Sequence, residues 1–264
     1  MIDDNEKEKN VIIYEGEELP KISWFDLIIN VFIAPSETFK RVAEEPKVLS
    51  PLIVGLIATL ASISVMIPKM ISLVPQEVEK MMATGKLPSH QTEEFWIKFL
   101  ERQIYIGTYF NAIFMMFLSL LFVTLVIFIF FKFTDRDATF KHVFSVVTYS
   151  NLINSLNSIL ISILLLATKF KGINSLRDFQ GKSLGFQLLM NADNLETTFQ
   201  KLTYVLLSLN SPFYIWNLVV LTIGVKYIFK TTYSKACAPV IITWAVISAI
   251  VILFSMIAIK SGQL

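Results

Sequence analysis

The residues best placed to do chemistry in this chain are uncharged. Between Val143 and Thr168, a run without Asp, Glu, Lys, Arg or His, stand Thr148, Tyr149, Ser150, Asn151, Asn154, Ser155, Asn157, Ser158 and Ser162. At 3.6 residues per helical turn, Asn151, Asn154, Ser155, Ser158 and Ser162 fall within an arc of about 100°, and Ser150 and Asn157 extend one edge. Leu152, Ile153, Leu156, Ile159, Leu160 and Ile163 take the other side. Amides and hydroxyls donate and accept without carrying charge, so the chemistry on offer is recognition by neutral hydrogen bonds. One use is bonding to neighbouring helices, with Asn111 and Asn217 on other apolar runs as partners; such bonds contribute about 0.6 kcal/mol each on average. The other use is lining a groove that admits water, a lipid headgroup or a small solute. Helix-to-helix bonding is the preferred reading.

Other reactive residue types do not assemble. His90 and His142 fall in separate loops on opposite faces of the membrane, so no shared metal site is expected. Asp135 and Asp137 beside Arg136 read as solvated charges in a turn. Cys237, the single cysteine, reads as a small buried apolar residue. There is no Gly-rich phosphate loop, no paired-His zinc motif and no set of nucleophile, base and orienting group. The expectation is therefore no catalytic residue, no cofactor, no metal and no enzymatic activity. Within the apolar runs Lys226, near a membrane edge, is the one ionisable cation and carboxylates are missing, which argues against ion-coupled transport.

The elements that must position the polar stripe are membrane spans. The chain of 264 residues is 54% hydrophobic and 17% charged, with a mean hydropathy of +0.61. Soluble core helices would show a charged face. Instead five uncharged runs are each long enough for the roughly 20 residues that a bilayer-crossing helix needs. The reading is an all-α polytopic membrane protein with five transmembrane helices, at about 51–68, 104–131, 143–168, 212–229 and 236–259. Ser50-Pro51 and Ser211-Pro212 mark the starts of the first and fourth, because Pro in the first turn loses no hydrogen bond. Pro68 and Pro75 are expected to end the first helix. The second run exceeds the bilayer core and must tilt or protrude, and Thr92-Glu93-Glu94 starts an amphipathic helix before it with Trp96, Phe99 and Leu100. A further helical segment is expected from about Asp193 to Leu209. Small faces at Gly55, Ala58, Thr59 and Ser62, and at Ala245, Ser248 and Ala249, suit close helix packing.

Before the spans lies an acidic tail at 1–20, then a short amphipathic surface helix with Trp24, Leu27, Ile28, Val31 and Phe32 on one side, suited to lying along the membrane. Residues 21–264 form one membrane domain. A net charge of +2 without a basic stripe excludes nucleic acid as a partner. Lys132 and Lys141 crowd one short connection and Lys230 and Lys235 another, which places both in the cytoplasm. With five spans the N-terminus lies there and the C-terminus outside, in the cell membrane. Lys40, Arg41, Lys132, Lys141, Lys230 and Lys235 then face lipid headgroups.

A pattern of short motifs runs through this layout. Pro35 with Thr38-Phe39-Lys40 precedes Leu49-Ser50-Pro51-Leu52; Ala138-Thr139-Phe140-Lys141 leads into Tyr149-Ser150; Pro212-Phe213 is followed by Trp216, Gly224 and Tyr233-Ser234-Lys235-Ala236. In order and spacing, over roughly 24–258, this resembles the bacterial branch of the Yip (Rab/Ypt-interacting protein) domain family. The resemblance implies a multi-pass protein with a cytoplasmic N-terminus and no known catalytic activity. Eukaryotic relatives act in vesicle trafficking and associate with small GTPases, but their Asp-Leu-Tyr-Gly-Pro motif is absent. Val48-Leu49-Ser50-Pro51, in its place, lacks the acidic residue and the glycine, so small-GTPase binding does not carry over. The expected role is a scaffold or adaptor whose partners are the lipid bilayer and other membrane proteins or a second copy. The alternative is a permease-like component using the polar stripe.

Overall fold

The computed structural model describes residues 23–88, 90–132, 138–179, 184–190, 195 and 197–260. The acidic stretch at 1–20 and the group Asp135, Arg136 and Asp137 lie outside them. Local chemistry explains how most helices begin. In α1 (Trp24–Ile33) Ser23 and Asp26 form a capping box, the Asp26 backbone N–H donating to Ser23 Oγ at 3.1 Å. Pro35 opens α2 (Pro35–Glu44), and Thr38 Oγ1 donates back to the Leu27 carbonyl at 3.4 Å, tying the two short helices together. α3 (Leu49–Ser72) is followed by α4 (Val74–Ala83), α5 (Glu93–Lys132) and α6 (Phe140–Ala167). After two short 3-10 turns come α7 (Thr198–Leu209), with Thr197 and Gln200 as a second capping box, α8 (Pro212–Ile228) and α9 (Tyr233–Lys260).

Among the described residues the protein is all-helical. Four helices are long and apolar enough to cross a membrane: α3, α5, α6 and Tyr233–Ile259 of α9. α7 and α8 meet at a bend of 54° and together make a fifth candidate span. α8 begins at Pro212 as expected, with Ser211 Oγ accepting the Tyr214 backbone N–H at 2.9 Å, but its 17 residues reach only about 25 Å.

Two boundaries and one buried face differ from the sequence reading. Pro68 sits inside α3, which runs on to Ser72 before Pro75 opens α4. One proline deletes a single backbone bond, and helices that pack against neighbours at a membrane edge tolerate that loss. The segment from Thr92 is not a separate amphipathic helix. Glu93 starts a continuous helix of 40 residues, roughly 60 Å long, with no proline to interrupt it, so α5 projects well beyond a bilayer core of about 30 Å. The apolar face of α1 does not simply lie on the membrane: Leu27, Ile28 and Val31 enter the bundle core, while Trp24, Phe25, Ile29 and Ile33 stay exposed.

α6 is the central element, packed against α3, α8, α5, α1 and α2. The main core joins Val31, Phe39 and Val42 of the short helices to Val143, Val146, Tyr149 and Ile153 of α6 and Val220 and Val225 of α8. A smaller cluster at the far end of α6 joins Leu73, Leu165 and Ile173. At the cytoplasm-assigned ends of α5 and α8 the rings of Phe131 and Phe229 stack 3.9 Å apart.

Candidate functional site

α6 starts at a cap that absorbs His142. Its Nδ1 accepts from the Thr139 backbone N–H at 3.3 Å and lies 2.7 Å from Thr139 Oγ1. This ring satisfies a helix end, a role that the spacing Thr-x-x-His hides because Glu or Gln normally fills the fourth place.

Over its first half, polar groups of α6 meet other elements. Ser145 Oγ donates to the Lys47 carbonyl at 2.9 Å, and the hydroxyls of Tyr149 and Ser50 are 3.4 Å apart. Asn217 Nδ2 of α8 donates to the Ser150 carbonyl at 2.6 Å. Asn217 is thus one of the expected interhelical partners, though it bonds to backbone and not to a side-chain amide. Tight packing accompanies these bonds. A Cβ on Gly224 would fall 2.3 Å from Val146 Cγ1 and 3.1 Å from the Phe39 ring, so only glycine lets α8 approach α6 and α2 this closely.

The remaining stripe behaves differently. Asn154 Nδ2 donates to Asn151 Oδ1 at 3.2 Å, Ser155 Oγ to the Asn151 carbonyl at 3.4 Å, and Ser158 Oγ to the Asn154 carbonyl at 3.2 Å. All are contacts within α6. Ser162 is the exception, because its Oγ reaches the Ser62 carbonyl of α3 at 3.2 Å as well as the Ser158 carbonyl at 2.9 Å. Ser155 also packs beside Gly55 of the small-residue face of α3. Asn157 Oδ1 is buried without a hydrogen-bond partner. Asn111, the other expected partner, is not brought to the stripe: it is exposed, about 180° around α5 from the buried Leu120.

The opposite side of α6 is also divided. Leu152 and Ile153 are buried in the core, whereas Leu156, Leu160 and Ile163 are exposed where lipid tails would lie. Helical spacing puts all of these on one side, for lipid or for apolar packing; the tertiary structure divides it, with Leu152 packed beside Gly55 of α3.

Among the basic residues, Lys132, Lys141, Lys230 and Lys235 are exposed and Lys40 and Arg41 are half-buried. The Phe131–Phe229 stack holds the backbone at Lys132 and Lys230 together. Lys226 does more than reach for the membrane edge: its Nζ lies 4.0 Å from the Tyr233 ring centroid and 5.3 Å from that of Tyr227, a cation–π arrangement. One polar residue was missed altogether. Asn210, at the bend between α7 and α8, accepts the Trp244 indole N–H at 3.1 Å through Oδ1 and donates through Nδ2 to the Leu206 carbonyl at 2.8 Å. Its carbonyl accepts the Phe186 N–H at 2.9 Å. The signal was the Asn-Ser-Pro sequence, read only as a helix start.

A family model of the Yip1 domain matches residues 29–256, from within α1 to within α9. The chain belongs to the Yip1 domain family. No curated protein and no solved structure gives a significant match. The match takes in all of α6, all of α2, α3, α5 and α8, which pack on it, and part of α1. The chain is a multi-pass integral membrane protein.

Proposed function

We propose that this Yip1-domain protein, a member of the bacterial branch of the family, is a non-enzymatic scaffold or adaptor that binds membrane partners or organises lipid. It sits in the cell membrane with its N-terminus, α1, α2 and both short connections in the cytoplasm. The observation that carries the reading is the α1–α2 end. There Ser145, Tyr149 and the Ser150 carbonyl of α6 meet neighbouring parts of the bundle, while Trp24, Phe25, Ile29 and Ile33 and the lysines at 132, 141, 230 and 235 are exposed. An end of this kind offers surface for docking. Native purification from membranes is expected to return a reproducible protein partner or enriched lipid; neither would sink the reading. Reporter fusions after residues 132 and 86 are expected to report cytoplasm and exterior respectively, and the reverse pattern would invert the topology.

A second reading has one observation of its own. Asn157 Oδ1 is buried without a partner beside the half-buried Asn151, Asn154 and Ser158, as in a polar groove that takes water or a neutral solute. A cysteine placed at 154 or 158 then reacts with a water-soluble thiol reagent, and replacing Asn151, Asn154 and Ser158 with Leu abolishes transport without affecting insertion. Protection of both cysteines favours the scaffold.

A further inference from the structure

Asn111 is a side-chain amide exposed on a membrane-spanning helix, with no hydrogen bond among the described residues. Its depth is fixed by two contacts on either side. Tyr109 OH lies 2.8 Å from Ser64 Oγ, and Thr59 Oγ1 donates to Met116 Sδ at 3.8 Å. Asn111 therefore stands level with the stretch of α3 between Thr59 and Ser64, inside the uncharged run that ends near Pro68. Water does not reach that depth on a lipid-facing surface, and an amide there needs a partner.

The partner cannot come from this bundle. Leu120, Thr124, Ile127 and Phe131 are the residues of α5 that are buried against the other helices. At about 100° per residue, Asn111 points about 180° away from Leu120. On the outward side Phe114, Met115, Leu118 and Leu125 are exposed, and a Cβ on Gly107, one turn before Asn111, would meet nothing within 4 Å.

We infer that this face of α5 is the contact surface for a second copy of the chain, with the two Asn111 amides bonded to each other across a two-fold axis along the membrane normal. The occupant follows from the chemistry. An amide carries both a donor and an acceptor, so it is complementary to itself. Two copies inserted with the same topology bring Asn111 opposite Asn111 at the same depth, as an isologous interface requires. Gly107 leaves the space for the two backbones to come together. The inference deepens the scaffold reading and rests on it, naming the chain itself as one membrane partner.

The test uses the full chain in native membranes with Cys237→Ala as background. Oxidative cross-linking of Leu118→Cys is expected to give a disulfide dimer, and Leu120→Cys, on the buried face, is not. Single-molecule photobleaching in bilayers is expected to show that Asn111→Leu weakens self-association about ten-fold, the scale of losing two interhelical amide bonds, and that Asn111→Gln restores it. A dimer unaffected by Asn111→Leu, no cross-link at position 118, or equal cross-linking at 118 and 120 would each overturn it. Because Asn111 points away from the bundle, unchanged helix content confirms that the variants fold. Co-purification of other membrane proteins with a monomeric chain defeats this inference alone. Self-association with no other protein or lipid partner defeats the wider adaptor reading alone.

Discussion

From Val143 to Ser155, α6 is enclosed on nearly every side; from Leu156 to Ala167, only Ser162 and Leu165 are buried. Both halves are rich in Ser and Asn, so composition does not separate them. What differs is how many polar contacts reach other parts of the bundle: three in the first half and, among the described residues, one in the second. In the first half Ser145 reaches Lys47, Tyr149 lies beside Ser50, and Asn217 reaches the Ser150 carbonyl. These bonds fix the depth of α3 and α8 against α6. Hydroxyls in both halves also turn back to carbonyls of their own helix, those of Thr148, Ser150 and Ser155 in the first and of Ser158 and Ser162 in the second, which any Ser or Thr in an apolar helix can do and which fixes nothing outside it. The polar stretch is thus clamped to its neighbours at three points in its first half and to α3 at one, Ser162, in its second.

The contrast can be broken by substitution. The largest effect is expected from Phe39→Ala, which empties a fully buried site between α2, α6 and α8 and costs about 3–5 kcal/mol, measured by thermal unfolding in detergent. A loss under about 1 kcal/mol would mean that α2 does not clamp α6. Gly224→Ala comes next: the added methyl meets Val146 and Phe39, and overpacking costs about 1–3 kcal/mol, more than the helix propensity it gains. Asn217→Ala removes the bond to Ser150 and is expected to cost about 1 kcal/mol. The smallest effect, and the one of opposite sign, belongs to the second half. Asn157→Leu removes a buried acceptor that has no partner and is expected to leave stability unchanged or raise it by up to about 1 kcal/mol. A loss comparable to that of Asn217→Ala would show that the second half is clamped as well, by water or a ligand, and would erase the contrast.

Much of the architecture was legible in the chain itself. Apolar length marked α3, α5, α6 and α9, Ser211-Pro212 marked the start of α8, and the side of α6 that carries the polar stripe followed from helical periodicity. Pro68 misled because proline's local penalty is small beside the packing of a whole span. The candidate site was legible as residue types but not as pairs. Asn217 and Asn111 look alike in sequence, each an amide in an apolar run, yet one is 7% exposed and bonded to α6 while the other faces away from the bundle.

The sequence by itself determined that the chain is helical, lies in a membrane and carries its polarity on one face of the third long span, because solvent and helical pitch are properties of each segment alone. Only the tertiary structure decided which polar groups are clamps, that α1 and α2 close one end of α6, and that Asn111 faces away from its own fold. Rotation and depth of one helix against another are set by side chains such as Phe39 and by spaces such as that at Gly224, and these exist only once the helices have met.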